Sequence, residues 1–379
     1  MKAKATNASA DALNRAGSLS QWQLIWLRFC KHKLALLSLF VVAALYSTAI
    51  LAQFIAPYPK NFKNMVCSYN PPMPILFNLR HGFHTAQVQR HVDQLSYRKQ
   101  YVSMPEEVVE LAFFGKGHKY RFLGLIETDR HLLVPRNRPE DIGTEQERVF
   151  YLFGADKYGQ DLFSRIMAGA QISLSVGLLA IAISFILGIS IGCISGYFSG
   201  WVDLLIQRVI ELLQAIPGLP LWMALGAAVP ADWSVLKTYF SILLILSLLG
   251  WTGLARVVRG KILSLREEDY AVAARLLGAS NTRIMFRHLV PGFMSHLIVS
   301  ITLALPGMIL GETSLSFLNI GLRPPVVSWG VMLQDCMNMQ AVELYPWLLL
   351  PVLFIVVTVL AFNFLGDGLR DAADPYSSR

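Results

Sequence analysis

The chain has 379 residues, of which 54% are hydrophobic and 15% charged, with a mean hydropathy of +0.47. Soluble domains carry about one quarter charged residues, so this composition excludes an ordinary soluble globule and points to an integral membrane protein. The net charge of +8 would suit nucleic acid on a soluble chain; on a membrane chain it reads as orientation, and no nucleic-acid partner is expected.

Residues 1–20 are polar and rich in Ala, Ser and Asn, and are expected to be disordered. Residues 21–33 place Trp22, Ile25, Trp26 and Phe29 at helical spacing among basic residues. That predicts a short interfacial helix, or simply the frayed start of a first span. Six apolar runs then follow, at 34–56, 172–197, 204–229, 240–258, 293–318 and 347–365. Each meets the length of about 17–25 residues needed to cross hydrocarbon. The first exceeds a signal-peptide core of about 7–15 residues and reads as an uncleaved span. The third is interrupted by Arg208, Glu211 and Pro217–Gly218–Leu219–Pro220, and the fifth carries Pro306 and Glu312.

Residues 57–158, between the first two spans, hold turn signals ("NPPMP", "GKGH", "VPRNRP") and short alternating or aromatic runs ("KYRFLGLI", "RVFYLFG"). These predict a β-rich subdomain, with "AQVQRHVDQLSYRKQ" at 86–100 as a possible helical exception. His81, His84 and His91 invite a metal site, but no cysteine or paired carboxylate completes the set, so surface histidines are expected. Of the four cysteines, Cys67 and Cys336 fall on the outer side. Their spacing gives no framework, and a disulfide or two free thiols are both open.

Orientation follows from the basic residues. The N-terminal segment has Lys2, Lys4, Arg15, Arg28, Lys31 and Lys33 against Asp11 alone. The loop after the fourth run has Arg256, Arg259, Lys261, Arg266, Arg275, Arg283 and Arg287. Short loops rich in Lys and Arg stay cytoplasmic, whereas long segments such as 57–158 translocate largely regardless of charge. Six spans then place both termini in the cytoplasm and 57–158 outside.

Polar residues within spans are candidates for a transport pathway. Arg208 and Glu211 lie three apart on one helical face near the cytoplasmic end, where they either pair or snorkel, or line a polar route. Pro217 and Pro220 free backbone groups that neighbours or water must satisfy. Glu312 should face the bundle interior or a water-filled cavity, and is near enough to the outer surface to be solvated. No catalytic constellation appears. The nearest approach to a phosphate loop, Gly260–Lys261, has Ile262 where Ser or Thr is needed and Ala255 in place of the first glycine. The chain is read as a non-enzyme that binds no nucleotide, cofactor or metal.

Residues 266–291, "REEDYAVAARLLGASNTRIMFRHLVP", are charged yet lie between two spans. Tyr270, Ala273, Ala274 and Leu277 recur at helical spacing. Glu267, Glu268 and Asp269 sit at the helix start, where the dipole favours negative charge, and Gly278 sits where a helix ends. Ser280 or Asn281 can cap a second helix that carries Ile284 and His288 and ends near Pro291. The segment is therefore an ordered helical hairpin on the cytoplasmic side. It suits docking to a partner protein, or packing against the ends of its own spans.

The hairpin resembles the cytoplasmic loop of bacterial ABC importer permeases, with Ala273, Ala274, Gly278, Ile284, His288 and Pro291 at the motif positions and Val272 where the motif has glutamate. Further segments resemble the dipeptide/oligopeptide/nickel subfamily, second ("C"-type) subunit. They are "FGADKYGQDLFSRIMAGAQISLSVGL" at 153–178, "SGYFSGWVD" at 195–203 and "LLQAIPGLPL" at 212–221, then "GETSLSFLNIGLRPPVVSWGVML" at 311–333 and "FNFLGDGLRDAADP" at 362–375.

The resemblance implies an all-α integral membrane protein with six transmembrane helices of the type I ABC importer fold and a β-rich extracytoplasmic insert between helices 1 and 2. Its parts are a cytoplasmic segment 1–33, a first helix 34–56, the insert 57–158, a transmembrane domain 159–368 with coupling loop 260–291, and a tail 369–379. It implies a pore-forming subunit in the bacterial inner membrane, embedded in lipid and paired with a second homologous permease. Two ABC ATPase subunits carry ATP and Mg, and an extracytoplasmic binding protein delivers the substrate. Ala273, Ala274, Leu277 and Gly278 would enter the ATPase groove with Arg275 at its rim, and Ile284 and His288 would complete the docking motif. Glu211, Pro217, Pro220 and Glu312 are the pathway candidates. Peptide is the expected substrate, with nickel, opines and oligosaccharides carried by relatives. The competing class is a secondary transporter or channel without an ATPase, which predicts intramembrane coupling charges and an inverted repeat.

Overall fold

The computed structural model describes residues 21–92, 99–122, 124–137, 141–143, 147–230 and 232–373. The expectation for residues 1–20 lies outside this set. Helix α1 (Gln21–Lys31) leads into α2 (Lys33–Ile50) across His32, whose Nδ1 accepts the Ala35 N–H at 3.1 Å and caps α2. Phe29 of α1 is buried in the main core, while Trp26 and Leu27 are exposed, as an interfacial helix requires. A short turn, Ala52–Ile55, carries the chain to the insert.

The insert is β-rich. Strands β1 (Leu76–Asn78), β2 (Gly82–Val92), β3 (Lys99–Phe113) and β6 (Leu133–Pro135) form an antiparallel sheet in the order β1-β2-β3-β6. Strands β4 (Lys116–Phe122) and β5 (Ile126–Arg130) form a separate antiparallel pair. Two expectations are corrected here. The described part of 86–100 is strand, not helix: Val88 lies opposite Ser103 and Arg90 opposite Tyr101, so cross-strand pairing decides its conformation. Residues 93–98 lie outside the described set. The "RVFYLFG" run forms no strand. Val149, Phe150 and Tyr151 are buried against Tyr58, Met73 and Leu111, so this apolar segment plugs a core without joining a ladder. Its backbone is satisfied by Met73 N–H to Tyr151 O at 2.8 Å and Phe150 N–H to Tyr58 Oη at 2.8 Å.

His84 is buried with Nδ1 2.9 Å from Gly82 O, so it is not a surface histidine. No group of three metal-capable side chains occurs among the described residues. All four cysteines are free.

Beyond the insert the chain is helical. Helix α3 (Leu162–Phe198) has 37 residues and so runs about 55 Å. That exceeds a hydrocarbon core of about 30 Å, and its first turns stand beside the insert. It packs along α6 (Val235–Leu265). The seam is close because Gly188, Gly192 and Gly196 face α6; a Cβ on Gly192 would lie 2.6 Å from Ala255 O.

Helices α4 (Gly200–Ala215) and α5 (Gly218–Ala227) meet at 84°. The third apolar run is therefore broken, not a straight span. Ile216, before Pro217, adopts extended φ −91° and ψ 128°, as a residue before proline prefers. Pro220 sits in the first turn of α5, where a missing N–H costs nothing. Helices α8 (Met294–Phe317) and α9 (Leu350–Ala373) complete the bundle, and α9 packs on α2 and α8. The described residues thus contain five helices long and apolar enough to cross a membrane, or six if α4 and α5 count as one span.

Candidate functional site

The hairpin between α6 and α8 is ordered from end to end. Helix α7 (Asp269–Leu276) ends in a two-bond terminus: Gly278 N–H reaches Arg275 O at 3.0 Å and Ala279 N–H reaches Ala274 O at 3.1 Å. That is the Schellman pattern, and it requires a left-handed residue, which Gly278 supplies at φ +78°. Ser280 Oγ then accepts the Arg283 N–H at 3.4 Å and starts the next turn.

The second helix does not stop at Pro291. The chain continues helically from Asn281 to Phe317. Proline lacks an N–H and crowds the carbonyl four residues before it. The helix widens to a π turn over Ile284–Leu289, with Val290 N–H bonded to Met285 O, and then tightens over Val290–Phe293. The hairpin's second arm is thereby the first part of the fifth span.

One face of the hairpin is tied to its own bundle. Ala271, Ile284, Met285, Leu289 and Val290 are buried with Cys193, Val258 and Ile262. Arg266 Nη1 donates to Gly196 O and Tyr197 O at the end of α3. Tyr197 Oη donates to Asn281 Oδ1 at 3.0 Å, and the Arg275 guanidinium lies 5.8 Å from the Tyr197 ring centroid. Nearby, Arg259 makes a two-point ion pair with Asp203, at 2.6 Å on each arm, which joins α6 to α4.

The other face is open. Leu276 is 83% and Leu277 88% exposed, and Ala273, Arg275 and Gly278 are exposed beside them. Ala274 is half-buried against the bundle. Of the residues the sequence singled out, Ala273, Arg275, Leu277 and Gly278 share the open tip. Ile284 does not: its side chain is fully buried and acts as an anchor. His288 is half-buried. Leu276 was missed because a strict helical-face count points it away from Leu277, while the terminus at Gly278 exposes both. Arg266, Tyr197 and Asp203 carried no signal, since their partners lie on other helices.

The pathway candidates separate. Glu211 pairs with Arg208 at 2.7 Å on an exposed face of α4, with Pro217 and Pro220 exposed at the adjoining bend. Glu312 faces the bundle interior, one of the two settings expected for it, and is not solvated. It is fully buried, accepting from Ser173 Oγ at 3.1 Å and Ser316 Oγ at 2.8 Å. Ser173 Oγ in turn accepts the Trp329 N–H, and Ser316 Oγ the Leu322 N–H, each at 3.1 Å. Glu312 therefore ties α3 and α8 to the segment before α9.

The structure is thus a bundle of apolar helices with an anchored hairpin whose tip is apolar and open. Residues 188–378 match the family described as "Binding-protein-dependent transport system inner membrane component", and residues 20–72 match "N-terminal TM domain of oligopeptide transport permease C". Among curated relatives, a dipeptide transport system permease protein of Lactococcus lactis subsp. cremoris is 31% identical over 374 residues, 95% of this chain and 92% of that protein. A Bacillus subtilis dipeptide permease is 30% identical over 97% of this chain and 90% of its own length. An oligopeptide permease of Bacillus subtilis is 38% identical over 59% of this chain and 71% of its length. The chain belongs to the binding-protein-dependent transport system inner membrane components. It is a pore-forming permease subunit of an ABC importer and is not itself an enzyme; ATP hydrolysis falls to separate subunits.

Proposed function

We propose that this permease carries short peptides inward, with the 266–280 hairpin as the point where an ATPase subunit docks. The observation that carries the docking reading is the exposure of Leu276 and Leu277 at 83% and 88% on a hairpin otherwise fastened to its bundle. Exposed leucines on a rigid cytoplasmic tip are costly unless a partner covers them. Ala273 and Gly278 allow close approach, Arg275 lies at the rim, and His288 stands half-buried behind. With Val272 in place of an acid, the fit depends on shape more than charge.

The assembly has two permeases, of which this is one, two ATPases that bind ATP and Mg, and an extracytoplasmic binding protein. It resides in the bacterial inner membrane with both termini in the cytoplasm, as the basic residues favour. Closure of the ATPases moves the docked tip. The ties from Arg266 to α3 and from Arg259 to Asp203 pass that motion to the spans as a rigid-body shift, which alternates access. The exposed face of α4 and α5, with Glu211, Pro217 and Pro220, lines the route. Peptide is favoured as cargo because the named relatives are dipeptide and oligopeptide permeases.

Uptake of a labelled dipeptide or tripeptide into proteoliposomes holding the complete assembly tests this reading. The expected result is uptake that needs both internal ATP and external binding protein. Uptake driven by an ion gradient with no ATP would establish a secondary transporter instead.

A further inference from the structure

A recess of about 600 Å³ opens beside the start of α3, at the insert end of the bundle. Three separate chain segments meet there: 60–63 after the first span, 157–165 at the start of α3, and 324–335 after α8. Its walls are Tyr158, Pro324, Pro325, Val326 and Val327, and its charged lining is Lys60, Lys63, Lys157 and Arg165 against Asp335 alone. Lys157 is matched by Asp335 at 2.9 Å, and Arg165 by the buried Asp156. Lys60 and Lys63 are exposed and have no acidic partner among the described residues. Lys63 Nζ lies 5.2 Å and Lys157 Nζ 5.0 Å from the Tyr158 ring centroid, so two cations share one aromatic ring.

A fold that gathers surplus like charges into one concavity raises their mutual repulsion and the local potential, and both are relieved by an anion. The volume is that of a small-ligand site, and apolar walls with a few convergent charges are the pattern such sites show. A flat docking surface for a protein would need no such hollow. We infer that this recess receives the C-terminal carboxylate of a peptide on its way from the binding protein to the spans, with Lys60 and Lys63 as the carboxylate's partners and Tyr158 and the proline pair against its last side chain. The inference rests on the peptide reading above.

The test is uptake into proteoliposomes containing the complete assembly and saturating binding protein, using one labelled tripeptide as free acid and as C-terminal amide. Lys60→Gln with Lys63→Gln should lower free-acid uptake about tenfold, the effect of losing charge-assisted contacts, and leave amide uptake unchanged. Lys60→Arg with Lys63→Arg should restore the free-acid rate. Both lysines are exposed, and unchanged basal ATPase activity in each variant confirms an assembled complex. Because the binding protein is the same throughout, its own preference cancels in the ratio of acid to amide. A ratio unaltered by the substitutions, whether both rates fall together or neither falls, overturns the inference and leaves the peptide reading intact. A drop in both forms would instead mark the lysines as contacts for the binding protein's acidic surface. Absence of uptake of either form by the unaltered assembly overturns the peptide reading and this inference with it.

Discussion

Arg266 donates from one nitrogen, Nη1, to the carbonyl oxygens of both Gly196 and Tyr197, at 3.1 Å each. Those carbonyls belong to the last turn of α3, which ends at Phe198 and has no further turn to satisfy them. A cation there also meets the negative end of the helix dipole. The contact straps the entry of the hairpin to a span that reaches the insert at its other end. Arg266→Gln should leave the protein folded and the ATPases bound, because the tip is untouched. Hydrogen bonds from a charged donor contribute about 1.5–3 kcal/mol, so transport per ATP hydrolysed should fall several-fold. The ratio of peptide uptake to ATP hydrolysis in proteoliposomes checks this.

The α3–α6 seam depends on absent side chains. Gly192→Val would place its Cβ against Ala255 O and the Val258 side chain. Backbone cannot move aside cheaply, and overpacking costs about 1–3 kcal/mol or more. The expected result is a lowered unfolding midpoint in detergent and reduced yield. Gly253→Ala, on α6 but facing open space, should leave the midpoint unchanged.

Glu312 is a structural tie in this account. Glu312→Gln keeps the shape but exchanges one of the two acceptor oxygens used by Ser173 and Ser316 for an N–H donor, so it should lower stability by less than removal of the side chain does. Glu312→Ala strands two buried hydroxyls and opens a void, for a loss of about 2–4 kcal/mol. Thermal unfolding of the purified chain measures both. Selectivity among peptides should be the same in Glu312→Gln as in the parent.

Asp161 gives the insert end a pH dependence. Its ordinary pKa is 3.8, and burial pushes the carboxyl up to about 7, against the pull of hydrogen bonds from Ser164. A carboxyl with a raised folded pKa holds its proton better in the fold than in the unfolded chain. Its contribution therefore favours folding at low pH and is lost as pH rises through the window from 3.8 to about 7. Asp161→Asn retains a capping side chain for α3 but does not titrate. The unfolding midpoint of the parent should fall between pH 5 and pH 8 by more than that of the variant, and the variant should be the more stable at pH 8.

Much of this was legible in the sequence, for identifiable reasons. Apolar runs announce spans because lipid demands them, and the turn-rich, aromatic-dotted 57–158 stretch announces strands. The helix stop at Gly278 is local chemistry, so the hairpin's first arm and the start of its second could be read from residues 266–281. The 84° bend was visible only as "PGLP", whose angle is set by packing. The continuation of the helix through Pro291 was not legible, since a π turn leaves no mark in composition. Ile284 was assigned to the docking surface, and Glu312 was left between the bundle interior and a cavity, because a residue type says nothing about which neighbour will cover it. The long-range ties of Arg266, Asp203 and Arg259 join residues up to 70 positions apart, beyond any periodicity.

The central claim is that the leucine tip of the hairpin holds the ATPase. Affinity purification of the tagged permease, co-expressed with its partner subunits, measures it directly, comparing Leu276→Asp with Leu277→Asp against Leu79→Asp, a fully exposed leucine of the insert. The account predicts that the tip variant reaches the membrane in normal amount, keeps the second permease and loses the ATPase subunits, while the Leu79 variant keeps all of them. Retention of the ATPases at parental stoichiometry by the tip variant would contradict it.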